Sequence, residues 1–210
     1  MNLTNESFDL KKSHPKELLE HLISIVSNKE FLNKNNPNNE VPFYICPFLP
    51  EFALEVYDVI NFLKKQLNKK EIKVLEIDLY DISINLLKNR TGNLFEKIQK
   101  KEPQMKKMQL KETLRNVLSA ERYLVPEIKK LTEMEEYKVI FIKGIGEVFP
   151  YIRTHNILSN LQKILKQEPS IIFFPGSYQN DPKMGSSLNL FCEFSNDNYY
   201  RAFNILTMSL

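Results

Sequence analysis

A three-layer α/β domain is the fold class this sequence predicts: an open, mostly parallel sheet of about five strands flanked by helices, with a helical insertion and an N-terminal helix. Three observations predict it. Short apolar runs alternate with stretches of helical periodicity along the chain. Runs such as "VPFYICPF" (41–48), "YKVIFIK" (137–143) and "PSIIFFPGSY" (169–178) are too continuously apolar for a sheet with one wet face, so both faces must be covered. The 210 residues, 42% of them hydrophobic, also suffice for one substantial core.

Each element follows from local pattern. Residues 15–32 place Leu18, Leu19, Leu22, Ile25 and Val26 at helical spacing, with Ser13 as N-cap and Pro15 in the first turn. The loop composition of "NKNNPNNE" (33–40) separates an N-terminal helical arm, 1–36, from an α/β domain, 37–210. The first strand, 41–48, leads to a helix over about 51–67. In the second strand, 72–80, alternation sends Val74 and Glu76 to one side and Leu75 and Ile77 to the other. Residues 81–131 exceed what one crossover needs and predict a helical insertion. It comprises a helix to about 100, a lysine-rich connection broken at Pro103, and a long helix to about 131. The third strand, 137–143, precedes a helix over about 149–167. The fourth, 169–178, stops at Pro175-Gly176. A fifth, 188–194, follows a loop too short for a crossover helix and is expected to run antiparallel at an edge. The tail 197–206 reads as a closing helix.

Composition limits the function classes. A net charge of +3 with only five arginines is weak support for a nucleic-acid origin of the basic balance. Cys46 and Cys192 lie far apart in apolar runs and are expected as reduced core residues. There is no CxxC, no signal-peptide pattern and no membrane-length apolar stretch, so a soluble cytoplasmic protein without structural zinc is expected.

Ligands of such folds gather at the C-terminal ends of the strands. That crevice is expected to hold Asp78, Asp81, Lys143, Arg153, His155 and Tyr178, with the backbone of 144–146 and 175–177. Gly144 and Gly146 supply two glycines of a dinucleotide turn, but Phe149 stands at the third position, and Glu147 would repel a phosphate. A tight turn with positive φ is the plainer role for both glycines. Ser177 follows a strand without a GxSxG elbow, which leaves a triad with His155 unsupported. Asp78 and Asp81 suit helix capping better than cation binding. No catalytic, cofactor or metal residue is therefore assigned. Arg153, expected one turn into its helix, does not serve the helix dipole there, so it calls for an acid: Glu147, Asp78, or a partner's carboxylate or phosphate. The lysine run 97–111 reads as a solvated helical surface, with nucleic-acid backbone as the alternative. Tyr199, Tyr200, Arg201 and Phe203 either close the core or offer a binding face, with closure favoured for Phe203 and one tyrosine.

The strings "EVPFYI", "KVLEIDLYD", "GIGEVFPYIRTHNILSNLQ", "IIFFPGSY", "SLNLF" and "DNYYRAFNI" occur together in this order, and over residues 15–206 the chain resembles the BrxB family of BREX phage-defence operons. It departs from the family pattern at Ser177, where glutamate is expected. The resemblance implies a non-catalytic accessory or adaptor working in a multiprotein assembly. Its implied companions are a PglZ-type protein, an AAA-type ATPase and a DNA methyltransferase, with the PglZ-type protein as the partner bound. Arg153, His155, Tyr199, Tyr200 and Arg201 are the partner-binding candidates. The alternative is a degenerate nucleotide-binding or hydrolytic domain using the Gly144–Gly146 turn, and direct DNA contact ranks below both.

Overall fold

The computed structural model describes residues 14–33, 43–89, 93–134, 136–165, 168–181, 185–197 and 202–208. Five strands form a parallel sheet in the order β2 (Val74–Asp78), β3 (Val139–Lys143), β4 (Ser170–Asp181), β1 (Phe43–Phe48) and β7 (Phe203–Asn204). Period-two alternation splits the side chains of these strands between two cores. One face buries Tyr44, Cys46, Phe48, Phe141 and Phe173 against helices α1 (Pro15–Val26) and α3 (Ala53–Lys69). The other buries Ile45, Ile77, Ile142, Ile172 and Phe174 under α4 (Leu79–Asn89), α7 (Val125–Met134) and α8 (Thr154–Ile164). The expected split of Val74 from Leu75 and Ile77 follows the same rule, and this two-sided burial is why the strands read as unbroken apolar runs. A short helix, α2 (Lys29–Leu32), buries Phe31 beside Tyr44.

Several elements differ from their sequence expectation, each for a local reason. Ser13 lies outside the described residues, and the N-cap of α1 is His14, with Pro15 at the first helical position as expected. The insertion contains α4, α5 (Leu94–Lys101), α6 (Lys107–Val117) and α7. The long helix to 131 is interrupted at Leu118–Ser119, and Ala120–Leu124 forms a π-helical turn. Pro126, whose nitrogen has no proton to donate, follows this π-helical turn directly, at the second position of α7. The helix expected from 149 starts at Thr154. Residues 144–152 form turns that include a cis Phe149–Pro150 bond, and the residue before a proline is kept out of helical conformation.

Strand β4 does not stop at Pro175-Gly176. It pairs with β1 as far as Pro175, and from Gly176 it pairs antiparallel with β5 (Gly185–Leu190). Gly176 makes that switch with φ of 149°, and a Cβ there would lie 2.1 Å from the Asn189 carbonyl oxygen. The antiparallel fifth strand is therefore real, but it extends the far end of β4 instead of lining an edge of the parallel sheet. Its hairpin partner is β6 (Phe194–Asp197), so Phe191 and Cys192 are turn residues, both in the left-handed region. Cys46 is buried, whereas Cys192 is exposed on this turn and is not a core residue. The expected closing helix is also absent from the described tail. Residues 203–204 form the edge strand β7, followed by a 3-10 turn that buries Ile205 and Leu206. Phe203 is 45% exposed beside Tyr44 and does not close the core as expected.

Candidate functional site

The C-terminal ends of β2 and β3 meet at a polar network. Lys143, the last residue of β3, reaches Glu76 at 2.9 Å and Asp78 at 3.3 Å, and its ammonium lies 5.2 Å from the centre of the Tyr57 ring. Lys64 on α3 donates to the second oxygen of Glu76 at 2.9 Å. Tyr57 donates to Glu147 at 2.6 Å. Burial disfavours the charge on Glu76, but the hydrogen-bonded ammonium groups of Lys143 and Lys64 hold its carboxyl below the ordinary range. Burial likewise opposes the charge on Lys143, and the Glu76 and Asp78 carboxylates override it and raise its pKa. The Tyr57 phenol is pushed well up, by burial first and by its bond to Glu147 second.

The turn above this network is filled by protein. Gly144 has φ of 84°, and its missing Cβ would stand 3.1 Å from both the Asp78 carboxylate and the Tyr80 amide. Gly146 does not share the expected positive φ. Its Cβ would lie 2.9 Å from both the Phe191 ring and Pro175, so glycine is needed there for close packing. Asp78 accepts from the Tyr80 and Asp81 amides at 2.9 and 3.1 Å and so caps α4, the role favoured for one of this pair. Asp81 is exposed in the first turn of α4. Among the described residues no group of three or more His, Cys, Asp or Glu side chains could hold a metal ion.

The predicted site residues separate. Tyr178 leaves the crevice for the core, donating to the Ala202 carbonyl at 2.6 Å and accepting from the Ser186 hydroxyl at 3.1 Å. Ser177 accepts from the Asn189 side chain on β5 at 3.3 Å. Arg153 is the N-cap residue of α8, one turn earlier than expected, and is exposed. It pairs with neither expected acid, since Asp78 is held by Lys143 and Glu147 by Tyr57. It lines instead a cleft of about 440 Å³ between α6, the π-helical turn and the start of α8, together with Arg115, Glu112 and Glu121. His155 is half-buried at the second position of α8, and its Nδ1 is shut from solvent with no hydrogen-bond partner among the described residues. Tyr199, Tyr200 and Arg201 lie outside the described residues.

Sequence reading missed two features. Lys64 and Tyr57 come from α3, which no spacing rule links to β3. Glu76, a carboxylate inside an apolar strand, was the one available signal, because a charge there needs a partner. The second feature is a cluster of three phenylalanines at the rim. Phe149 lies 6.0 Å from Phe191 and 5.0 Å from Phe194, ring centre to ring centre, and Phe194 is 46% exposed.

Fold and site define a three-layer α/β protein whose ligand-type turn is packed and charge-paired by its own side chains. A family model described as "BREX protein BrxB" matches residues 75–205. The chain belongs to the BrxB family, and its role lies in the BREX phage-defence system. It is 31% identical to a BREX protein BrxB of Bacillus cereus (strain H3081.97), over 90% of this chain and 96% of the relative. It is 27% identical to a BREX protein BrxB of Escherichia coli O9:H4 (strain HS), over 90% of each chain. No solved structure matches. Among the described residues, no helix is long and apolar enough to cross a membrane.

Proposed function

We propose that this chain is a non-catalytic adaptor of a BREX phage-defence assembly and that it docks a PglZ-type companion on the rim at the C-terminal ends of its strands. The carrying observation is the juxtaposition at that rim. The groups that would serve a small ligand are committed to each other, while the Phe149–Phe191–Phe194 cluster presents Phe194 to solvent. Aromatic side chains with arginine close by are the residue types that dominate protein interfaces. Arg153, without an ion pair among the described residues, supplies the arginine four positions after Phe149. His155, Tyr199, Tyr200 and Arg201 remain further candidates of the same proposal.

The test is co-purification from cells expressing the companion proteins. The PglZ-type protein is expected to co-elute, and Phe194→Ala with Arg153→Ala to weaken the complex by about 2 kcal/mol or more. Elution of the chain alone at micromolar concentration, with every companion present, would refute the adaptor reading. A thermal-shift panel of nucleotides and divalent ions addresses the alternative use of the turn. A true ligand at 100 times its Kd adds about 2.7 kcal/mol of stability, and no member of the panel is expected to do so.

A further inference from the structure

Positive charge is dense in two runs: residues 61–73, with five lysines against one glutamate, and residues 93–117. Residues 93–117, which comprise α5, a short 3-10 turn and α6, carry seven cationic and three acidic side chains, a net of +4 in a chain whose formal net charge is +3. Neither helix contains a fully buried residue. The pair is held to the core by the half-buried Leu94, Phe95, Ile98, Leu114 and Val117. Lys97, Lys100 and Lys101 share a face of α5 at i, i+3 and i+4, and Lys107, Lys111 and Arg115 share a face of α6 at i, i+4 and i+8. None of these six, nor Lys106, forms an ion pair among the described residues, although Lys64, Lys129, Lys130 and Lys143 do.

The stripe on α6 runs on into a second arginine. Arg115 at its end and Arg153 line the same cleft of about 440 Å³. Two carboxylates, Glu112 and Glu121, line it too. Glu121 stands in the first turn of its own helical segment, where a negative charge answers the helix end. Arg153 has no such role, since a cation at the start of α8 is opposed by that helix's dipole and calls for an anion from outside.

We propose that α5 and α6 grip the phosphate backbone of a nucleic-acid duplex, with the strand following Lys107, Lys111 and Arg115 to a phosphate held between Arg115 and Arg153. Regularly spaced point charges without aromatics between them suit backbone contacts and not base stacking. Binding is therefore independent of sequence and steeply dependent on salt. This surface shares Arg153 with the proposed docking rim but none of its phenylalanines, and it can be tested on the purified chain without any companion protein.

The probe is a fluorescent DNA duplex of about 30 base pairs, titrated in about 50 to 200 mM salt. Neutralising about five phosphates gives a slope of log K against log salt of roughly −4 to −5. Lys107→Glu with Lys111→Glu removes measurable binding while leaving the melting curve unchanged. Arg153→Ala reduces the slope by about one, equally for unrelated sequences. The proposal is overturned by an absence of binding at the lowest salt, by binding insensitive to salt, or by binding that survives the double reversal. It is equally overturned if anionic vesicles or polyglutamate compete better than an unlabelled duplex. A slope unchanged by Arg153→Ala would overturn the placement of a phosphate in the cleft.

Discussion

The Lys143 turn and the α5–α6 pair are both rich in charge, and they handle it in opposite ways. At the turn, Lys143 and Glu76 are each less than a fifth exposed, and every charged group meets a partner from another element. On the helix pair, seven cations face solvent or lie at its edge and none is paired among the described residues. Desolvation explains the difference. A charge near the core is costly unless neutralised within the protein, whereas a charge in water can stay uncommitted at almost no cost. The charge of the first region is thus neutralised within the protein, and that of the second is left without a partner among the described residues.

Substitutions sharpen this contrast. The largest effect is expected for Lys143→Met, which leaves Asp78 and one oxygen of Glu76 without their cation. Urea unfolding should show a loss of about 2–3 kcal/mol, and a loss under about 0.5 kcal/mol would break the contrast. Gly146→Ala should follow at about 1–2 kcal/mol, because the new methyl meets the Phe191 ring and Pro175 at 2.9 Å and both must shift.

The third effect is the pH dependence of stability. Folding lowers the pKa of Glu76, so its contribution is complete above about pH 4.5 and is lost as pH falls through the lowered folded value. Folding raises the pKa of Lys143, so its contribution is complete below about pH 10.5 and is lost as pH rises through the raised value. Urea stability measured against pH should decline in both windows. In Lys143→Met the acid decline should shrink and the alkaline one should lose the lysine's share. The smallest effect is expected for Lys100→Glu or Lys107→Glu, within about 0.5 kcal/mol of wild type, since neither side chain touches a partner whose loss would be felt.

Much of the parallel sheet and both helical layers could be read from the chain alone, because they rest on local periodicity. Alternation in "KVLEIDLY" separated Leu75 and Ile77 from Val74, and helical spacing marked Leu18, Leu22 and Ile25 as one apolar face, though only the fold shows which core that face joins. The filled turn was partly legible, through Phe149 at a position that needs glycine and Glu147 where a phosphate would sit. Pairing between distant segments decided the rest. The passage of β4 through Gly176 from one partner to another depends on β5, and the short strand β7 exists only because β1 offers it an edge. Lys143 became committed, and Arg153 uncommitted, only once the fold had brought Glu76 to the one and withheld Asp78 and Glu147 from the other. Sequence determined most of the buried positions in the regular strands and helices, but not the exposure of Cys192 and Phe203. Tertiary structure alone decided which charges would find partners, because pairing energy depends on distances that no local pattern encodes.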